Sequence, residues 1–178
     1  MPRKMNDRTF QELGERLISY AIAGDLPALR ETVATGGDIN FANAKGVTPL
    51  MVAAQWGRSH VVRFLLENGA DVSAKEKSDG RTALMYSCLS GDTLSLEAIL
   101  EASADVNARD HDGRTALMLA AINGVTAAIR PLVSAGSDIR ARDQFGLTAV
   151  HLAYRRGRQE VLEVLAATDS MLVGTVTE

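Results

Sequence analysis

The sequence predicts an all-α fold built from stacked copies of one short helical unit. The main support is a repeated phrase: Gly-Arg-Thr-Ala-Leu-Met occurs at residues 80–85 and 113–118, and variants occur at 46–51 and 146–151. Successive copies therefore begin 34, 33 and 33 residues apart. A fixed period in this range is typical of stacked repeat architectures. Aromatic residues make up only 4% of the chain, which favours close packing of helices over a sheet sandwich.

The composition limits the class of protein. The chain has 178 residues, of which 46% are apolar and 23% charged, as in a soluble globular domain. No apolar run approaches the roughly 20 residues that span a bilayer, and the polar start of the chain does not resemble a secretory signal. The single cysteine, Cys88, excludes an internal disulfide. We therefore expect a cytoplasmic protein without membrane contact, and the net charge of −3 gives no reason to expect a nucleic-acid binder.

Each copy of the phrase carries the signals that begin a helix. A threonine follows the turn glycine by two positions, at Thr48, Thr82, Thr115 and Thr148. Its hydroxyl can accept a hydrogen bond from the free N–H groups of the first helical turn. In the first of these copies Pro49 occupies the first helical position, where no N–H group is needed. A short helix is therefore predicted after each threonine.

A second helix is predicted in every copy, because apolar residues recur at helical spacing after Gly57, Gly91, Gly124 and Gly157. Gly69 and Gly136 are expected to end this helix in the left-handed conformation. Ser103 stands in the equivalent place of the third copy. A left-handed backbone at a residue other than glycine costs roughly 1–2 kcal/mol, so this junction is predicted to be a weak point.

These motifs resemble ankyrin repeats. The resemblance rests on Thr-Pro-Leu at 48–50, Thr-Ala-Leu at 82–84 and 115–117, and Thr-Ala-Val at 148–150, with an Asp-Val or Asp-Ile phrase closing the repeats. It covers about residues 13–167, including a first unit without the Gly-x-Thr-Pro opening, as an initial capping repeat would be. The resemblance implies an ankyrin-repeat solenoid of stacked antiparallel helix pairs, joined by β-hairpin-like loops and curved around a concave face.

On this resemblance we divide the chain into five repeats and two tails. The boundaries are a flexible N-terminal tail at 1–8, an N-terminal capping repeat at 9–45, repeats at 46–79, 80–112 and 113–145, a C-terminal capping repeat at 146–169, and a C-terminal tail at 170–178. The first helix is expected to begin near Thr9, and the C-terminal tail either docks on the last repeat or stays free. The usual histidine of the family is present only as His151, and Met51, Met85 and Met118 replace it elsewhere, which predicts a more apolar inner layer.

Candidate partner-binding residues lie at the hairpin tips and on the exposed side of each first helix, where the family places its variable contacts. In this chain they are Lys45, Val47, Trp56, Lys77, Arg81, Leu89, His111, Arg114, Ile122, Asn123, Gln144, Phe145, Leu147, Arg155 and Arg156. The wider set of such positions has nine basic and five acidic residues, which predicts a basic groove on an acidic body. Such a groove would steer an acidic partner toward it.

The sequence offers little for catalysis. His60, His111 and His151 occupy different places in their units, so no metal-ligand spacing is visible. Cys88 aligns with Ala54 on a packed helix face, which predicts a buried structural thiol. Neither Gly-x-Gly-x-x-Gly nor a Gly-Lys-Ser/Thr ending occurs. We therefore expect no catalytic residue, cofactor or metal site.

The favoured function is a non-catalytic protein–protein interaction module that binds another protein through its concave face, for inhibition, targeting or assembly. The alternative is a nucleic-acid or anionic-ligand binder that uses the same basic stripe, and it is the less favoured of the two because the rest of the chain is acidic and has a single tryptophan. Oligomeric state is not predicted.

Overall fold

The described part of the chain folds as a row of five helix pairs. The structure is a computed structural model that describes the backbone of residues 7–174 and the side chains of residues 7–168. Residues 7–174 contain ten helices and no β-strand: α1 (Asp7–Ala23), α2 (Leu26–Ala34), α3 (Pro49–Gln55), α4 (Ser59–Glu67), α5 (Ala83–Ser90), α6 (Thr93–Glu101), α7 (Ala116–Asn123), α8 (Thr126–Ser134), α9 (Ala149–Arg155) and α10 (Gln159–Gly174). The predicted all-α class is confirmed.

The helix pairs stack in two rows. Each odd-numbered helix from α1 to α9 packs against the next odd-numbered helix, and α4, α6, α8 and α10 pack in the same order along the second row. We call these the inner row and the outer row. Side chains shared between neighbouring pairs form one continuous core, in which Leu17, Leu50, Leu84 and Leu117 are at most 1% exposed. Because one pair cannot bury its own apolar face, each pair depends on its neighbours for stability.

The methionines that replace the family histidine belong to this core. Met51, Met85 and Met118 are each 1% exposed, as the prediction of an apolar inner layer requires. In the last repeat the equivalent residue, His151, is exposed, and Tyr154 is 76% exposed although its counterparts in the internal repeats are buried. The difference arises because no further helix pair packs on α9 within the described residues.

Threonine caps begin the inner helices α3, α5, α7 and α9, as predicted. The hydroxyl oxygens of Thr48, Thr82 and Thr115 each accept a hydrogen bond from the backbone N–H three residues later, over 3.3 to 3.4 Å. Thr148 caps His151 in the same way, and Nδ1 of His151 accepts a bond from the Thr148 N–H at 3.4 Å. In this reciprocal cap, the side chain of each residue accepts the free backbone N–H of the other.

Hairpin-like loops precede these inner helices and are joined to one another. Main-chain N–H groups donate to carbonyl oxygens of the preceding loop over 2.7 to 2.9 Å, from Lys77 to Lys45, from His111 to Asp79 and from Gln144 to Asp112. The loops therefore form a β-like ladder along one edge of the solenoid, although no residue between 7 and 174 lies in a strand.

An acceptor side chain holds each loop closed. Asn43, Asp110 and Asp143 each accept two backbone N–H bonds from their own loop. The loop that precedes α5 is one residue longer than the others, and the longer side chain of Glu76 takes this place there. Glu76 accepts three backbone N–H bonds, so one extra methylene in the side chain matches one extra residue in the loop.

Glu76 is a buried residue, with only 3% of its surface exposed. Burial opposes its ionisation, but hydrogen bonds from the N–H groups of Asp79, Ser78 and Arg81 outweigh burial and hold its pKa below the ordinary value. Backbone donors stabilise the charged form because each points an N–H dipole at the carboxylate. The loop is therefore most stable when Glu76 is ionised.

The structure differs from the sequence expectations at both ends. Helix α1 already includes Asp7 and Arg8, which precede the expected start near Thr9, and an acidic residue in the first turn is favoured by the helix dipole. Residues 1–6 of the expected N-terminal tail lie outside the described residues. Helix α10 continues to Gly174, so part of the expected tail at 170–178 is helical, and residues 175–178 lie outside the described part. The first glycine after Gly157 is Gly174, and no earlier residue supplies a helix stop.

Ser103 adopts the left-handed conformation that its alignment with glycine predicts. Its φ is 61°, and no other non-glycine residue in the described part of the chain has a positive φ. Its counterparts Gly69 and Gly136 have φ of 86° and 92°, so the loop geometry is the same in all three repeats and only the residue type differs. The backbone of the third repeat is therefore strained at this junction.

Candidate functional site

The candidate site is a groove between the inner helices and the hairpin-like loops of the last three repeats. Its volume is about 760 Å³. We call it the C-terminal groove, and it is lined by Arg81, Leu89, Arg114, Leu119, Ile122, Asn123, Asp143, Phe145, Leu147, Leu152, Arg155 and Arg156. The loops supply one wall and helices α5, α7 and α9 supply the other, because the threonine caps turn the chain sharply from each loop into its helix.

The floor of the groove is apolar. Leu119 and Leu152 are 3% and 7% exposed, so they belong to the core and show only their outer edge to the groove. Ile122 and Leu147 are half-buried and pack against the same core. Phe145 is 66% exposed at the tip of the last loop, and it stands above this floor. A partner side chain placed here would remove apolar surface from water on both sides, which is the main favourable term in association.

Arg81 and Arg114 line the groove but are already paired within the chain. Nη1 of Arg81 lies 3.2 Å from Oδ2 of Asp79, and its Nε lies 4.0 Å from Oδ2 of Asp110. Nη1 of Arg114 lies 2.8 Å from Oδ2 of Asp112. The two arginine side chains are only 24% and 25% exposed. Their positive charge is therefore largely compensated before any partner arrives.

Other basic residues of the expected stripe also bind the chain's own backbone. Nζ of Lys75 and Nζ of Lys77 donate to carbonyl oxygens of neighbouring loops at 2.7 and 3.3 Å. Nη1 of Arg109 donates to two carbonyl oxygens, one of them in the next loop at 2.6 Å, and Arg142 donates to the carbonyl of Gly146 at 2.8 Å. Lys75, Lys77 and Arg109 connect successive loops and Arg142 closes its own loop, so their first role is structural.

Arg155 and Arg156 differ from these basic residues. Both are exposed at the end of α9, both line the C-terminal groove, and neither side chain makes a hydrogen bond or ion pair within the described residues. The uncompensated positive charge of the groove is therefore concentrated at one end. The sequence predicted a basic stripe along the groove, but in the structure the uncompensated cations lie at the end formed by α9.

One buried carboxylate oxygen in the groove has no partner. Asp143 is 6% exposed, and its Oδ1 accepts the N–H groups of Phe145 and Leu147 at 2.9 Å. Its Oδ2 is buried and accepts no hydrogen bond from the described residues, and the buried Nε of Arg114 likewise has no acceptor. Buried polar atoms are normally paired, so these two atoms are exceptions to that rule.

The structure brings nine of the fifteen predicted residues together in the groove: Arg81, Leu89, Arg114, Ile122, Asn123, Phe145, Leu147, Arg155 and Arg156. It does not bring Lys45, Val47, Trp56, Lys77, His111 or Gln144 there. Leu119 and Leu152 were not predicted, and Asp143 was counted among the five acidic residues of the wider set but not among the binding residues. Helical spacing could have indicated both leucines, because Leu119 and Leu152 lie three residues before Ile122 and Arg155, and residues three apart share one face of a helix.

The six residues outside the groove have other surroundings. Val47 packs against the core, and Lys45 provides the carbonyl that accepts the Lys77 N–H. His111 contacts the carbonyl oxygen of Ser78 through Nδ1 at 3.0 Å, and Nε2 of Gln144 donates to Asp112 at 2.8 Å. These side chains link successive loops. Trp56 ends α3 and is 55% exposed, so it lies on the surface toward the N-terminal half of the solenoid.

Cys88 is a buried core residue, as predicted. Its side chain is fully buried, and burial raises the pKa of its thiol to about 12, against a small opposing effect of a hydrogen bond from Ser87. A thiol that remains protonated is a poor nucleophile. No group of three or more His, Cys, Asp or Glu side chains that could hold a metal ion occurs among residues 7–168. None of the helices within residues 7–174 is long and apolar enough to cross a membrane.

The sequence matches the family model for ankyrin repeats (3 copies) over residues 17–110 and 95–172. These matches cover most of the chain, and they agree with the stacked helix pairs and with the groove between helices and loops. The chain belongs to the ankyrin repeat family. Ankyrin repeats are generally protein–protein interaction modules and are generally non-catalytic.

Similar curated proteins are much longer than this chain. It is 34% identical over 94 residues to ankyrin repeat and KH domain-containing protein mask-1 of Caenorhabditis elegans, which covers 53% of this chain and 4% of that protein. It is 43% identical over 70 residues to Arf-GAP with coiled-coil, ANK repeat and PH domain-containing protein 3 of Homo sapiens, and this match covers 37% of this chain and 8% of that protein. It is 39% identical over 104 residues to the E3 ubiquitin-protein ligase XBAT33 of Arabidopsis thaliana, and this match covers 55% of this chain and 19% of that protein.

Proposed function

We propose that this chain is a non-catalytic recognition module that binds a partner protein through the C-terminal groove, for inhibition, targeting or assembly. The observation that carries the proposal is the exposure of Phe145, which is 66% accessible above an apolar floor while the equivalent loops hold small or polar residues. A large aromatic side chain on the rim of a preformed groove is the kind of residue that dominates binding energy at interfaces.

The scaffold supports this function because it is ordered before binding. The backbone N–H of Phe145 donates to Asp143 at 2.9 Å. The side chain of the adjacent Gln144 is hydrogen-bonded to the preceding loop. Binding therefore costs little loop ordering, and loop ordering is one of the terms that reduce affinity. The variable side chains stand on a repeated backbone, so partner choice can change without a change of fold.

The nucleic-acid alternative has less support. Arg81 and Arg114 are paired with carboxylates, and Lys75, Arg109 and Arg142 donate to the chain's own carbonyl oxygens. A surface that tracks phosphates needs several cations free to approach the backbone, and only Arg155 and Arg156 in the groove meet this condition.

The proposal is tested by affinity capture from a native extract, using the intact chain and two variants. Phe145→Ala combined with Ile122→Ala should greatly reduce recovery of the captured protein, because both remove apolar surface from the groove. Leu94→Ala is the matched control, since Leu94 is 54% exposed on outer helix α6, away from the groove. Circular dichroism checks that all three chains are folded. Equal recovery by the groove variant and the control would disprove groove binding.

A further inference from the structure

The charge of the C-terminal groove is polarised, and this polarity defines the chemistry of an occupant. Arg155 and Arg156 lie in the fifth repeat and have no partner within the described residues, whereas Arg81 and Arg114, in the third and fourth repeats, are each paired with an aspartate. The groove thus has a cationic end over α9 and a compensated end over α5. Its middle is the apolar floor beneath Phe145.

We infer that the occupant is an extended segment of a partner protein with apolar side chains in its middle and carboxylates at the end that lies over the fifth repeat. This inference rests on the proposed function and specifies the partner's chemistry. The two free guanidinium groups match carboxylates in charge and in planar shape, and one arginine can hold a carboxylate through two parallel hydrogen bonds. Apolar residues of the segment would cover Ile122, Leu147 and the ring of Phe145.

The length of the groove suits an extended main chain. Neighbouring packed helices lie about 8–10 Å apart, so the distance from α5 to α9 is on the order of 20 Å, which an extended segment of about six residues spans.

Nucleic acid fits these features less well. A nucleotide strand would place phosphates along the whole groove, including beside Asp79 and Asp112, whose carboxylates lie next to Arg81 and Arg114. Like charges at those positions oppose binding, whereas a segment that is acidic at one end only avoids them. The structure therefore favours a polarised peptide over a uniform polyanion.

The experiment uses the full chain and a display library of random peptides. Selection on the wild-type chain should enrich peptides with Asp or Glu at one end and apolar residues beside it. For the selected peptides, Arg155→Glu combined with Arg156→Glu should weaken binding about tenfold or more by fluorescence anisotropy, and Arg155→Lys with Arg156→Lys should keep part of the affinity. Selection without acidic enrichment, or no enriched peptide at all, would overturn the inference.

A matched control changes the same charge elsewhere. Arg130→Glu with Arg140→Glu alters the net charge by the same amount at two exposed residues outside the groove, and it should leave peptide affinity within twofold of wild type. An equal loss in both double variants would mean that only overall charge matters and would overturn a specific site. Tighter binding of a single-stranded oligonucleotide than of any selected peptide would also overturn it.

The outcomes separate this inference from the proposed function. If Phe145→Ala with Ile122→Ala abolishes peptide binding and the arginine reversals do not, the groove is a binding site but its partner is not acidic. If neither pair of changes affects peptide binding, both proposals fail.

Discussion

Asn107 reaches from the third repeat to Gly136 of the fourth: its Nδ2 donates to the Gly136 carbonyl at 3.0 Å, and its Oδ1 accepts the N–H of Asp138 at 2.9 Å. One side chain thus satisfies a carbonyl and an N–H group at the point where an outer helix ends. Asn40 of the first repeat makes the same two bonds to the loop that follows α4, at 3.1 and 2.7 Å.

The second repeat has Ser73 in this place. Its hydroxyl bonds to Asp71 of its own loop at 2.6 Å, so it does not bridge to the third repeat among the described residues. We expect Ser73→Asn to create the missing bridge and to raise the free energy of unfolding by about 0.5–1 kcal/mol, the usual contribution of a partly exposed hydrogen bond. Urea denaturation measures the change. Asn107→Ala is the converse test and should lower stability by a similar amount; a gain in stability from Asn107→Ala would contradict the argument.

Ser103 is the position where a glycine should stabilise the protein. We expect Ser103→Gly to raise the free energy of unfolding by about 0.5–1 kcal/mol, because relief of left-handed strain exceeds the entropy that glycine adds to the unfolded chain. Thermal and urea denaturation measure the effect. Ser103→Ala is the matched control, since alanine keeps the strain at φ of 61° and should give no gain. Equal stability of the two variants would show that strain is not the cause.

Glu76 should make stability depend on pH in the acidic range. The pKa of its carboxyl is held below the ordinary value of 4.5 in the folded chain, so its stabilisation is fully present above that pH and is lost as pH falls through the folded pKa. We expect Glu76→Gln to cost about 1–2 kcal/mol at pH 7, because hydrogen bonds to a charged acceptor are replaced by weaker ones.

The difference between wild type and Glu76→Gln should shrink as the pH is lowered below 4.5. Urea denaturation at several pH values follows it. Glu97→Gln is the control, because Glu97 is exposed on α6, and it should leave the pH dependence unchanged. A constant difference between wild type and Glu76→Gln at all pH values would contradict an ionised Glu76.

Cys88 should resist thiol reagents while the protein is folded. Its thiol is fully buried and its pKa is raised to about 12, so the thiolate is scarce at pH 8 and the sulfur is inaccessible. We expect reaction with a chromogenic disulfide only at the rate at which the third repeat opens, and rapid reaction in urea. Rapid labelling of the native chain would disprove this burial. Cys88→Ala should fold, because Ala54 and Ala121 occupy the same place in other repeats.

Much of the fold could be predicted from the sequence because the same local signals occur in each repeat. Thr82 and Thr115 begin helices in the structure as the motif predicts, and Ser103 has the left-handed backbone that its alignment with Gly69 predicts. Cys88 is buried, as its alignment with Ala54 requires. In each case the cause is local, or it is a packing position that recurs once per repeat.

The groove was only partly predictable. Phe145, Ile122 and Arg156 lie in it as expected, but Trp56 does not, because its repeat lies toward the other end of the row. Leu119 and similar floor residues look like ordinary core positions in the sequence, and their edge reaches the groove only because the loops stand apart from the helices.

By itself the sequence determined the repeat, its helix boundaries within the solenoid, its buried residues and the family to which the chain belongs, since these follow from short-range signals repeated at a fixed period. Tertiary structure alone decided which charges are available to a partner. Arg109 bonds to the carbonyl of Arg142, which is 33 residues away, and Arg114 is paired with Asp112, whereas Arg155 has no such neighbour. Composition counts these cations alike, but the carbonyl that Arg109 binds comes within reach only when the repeats are stacked, and Asp112 lies beside Arg114 because their shared loop is folded.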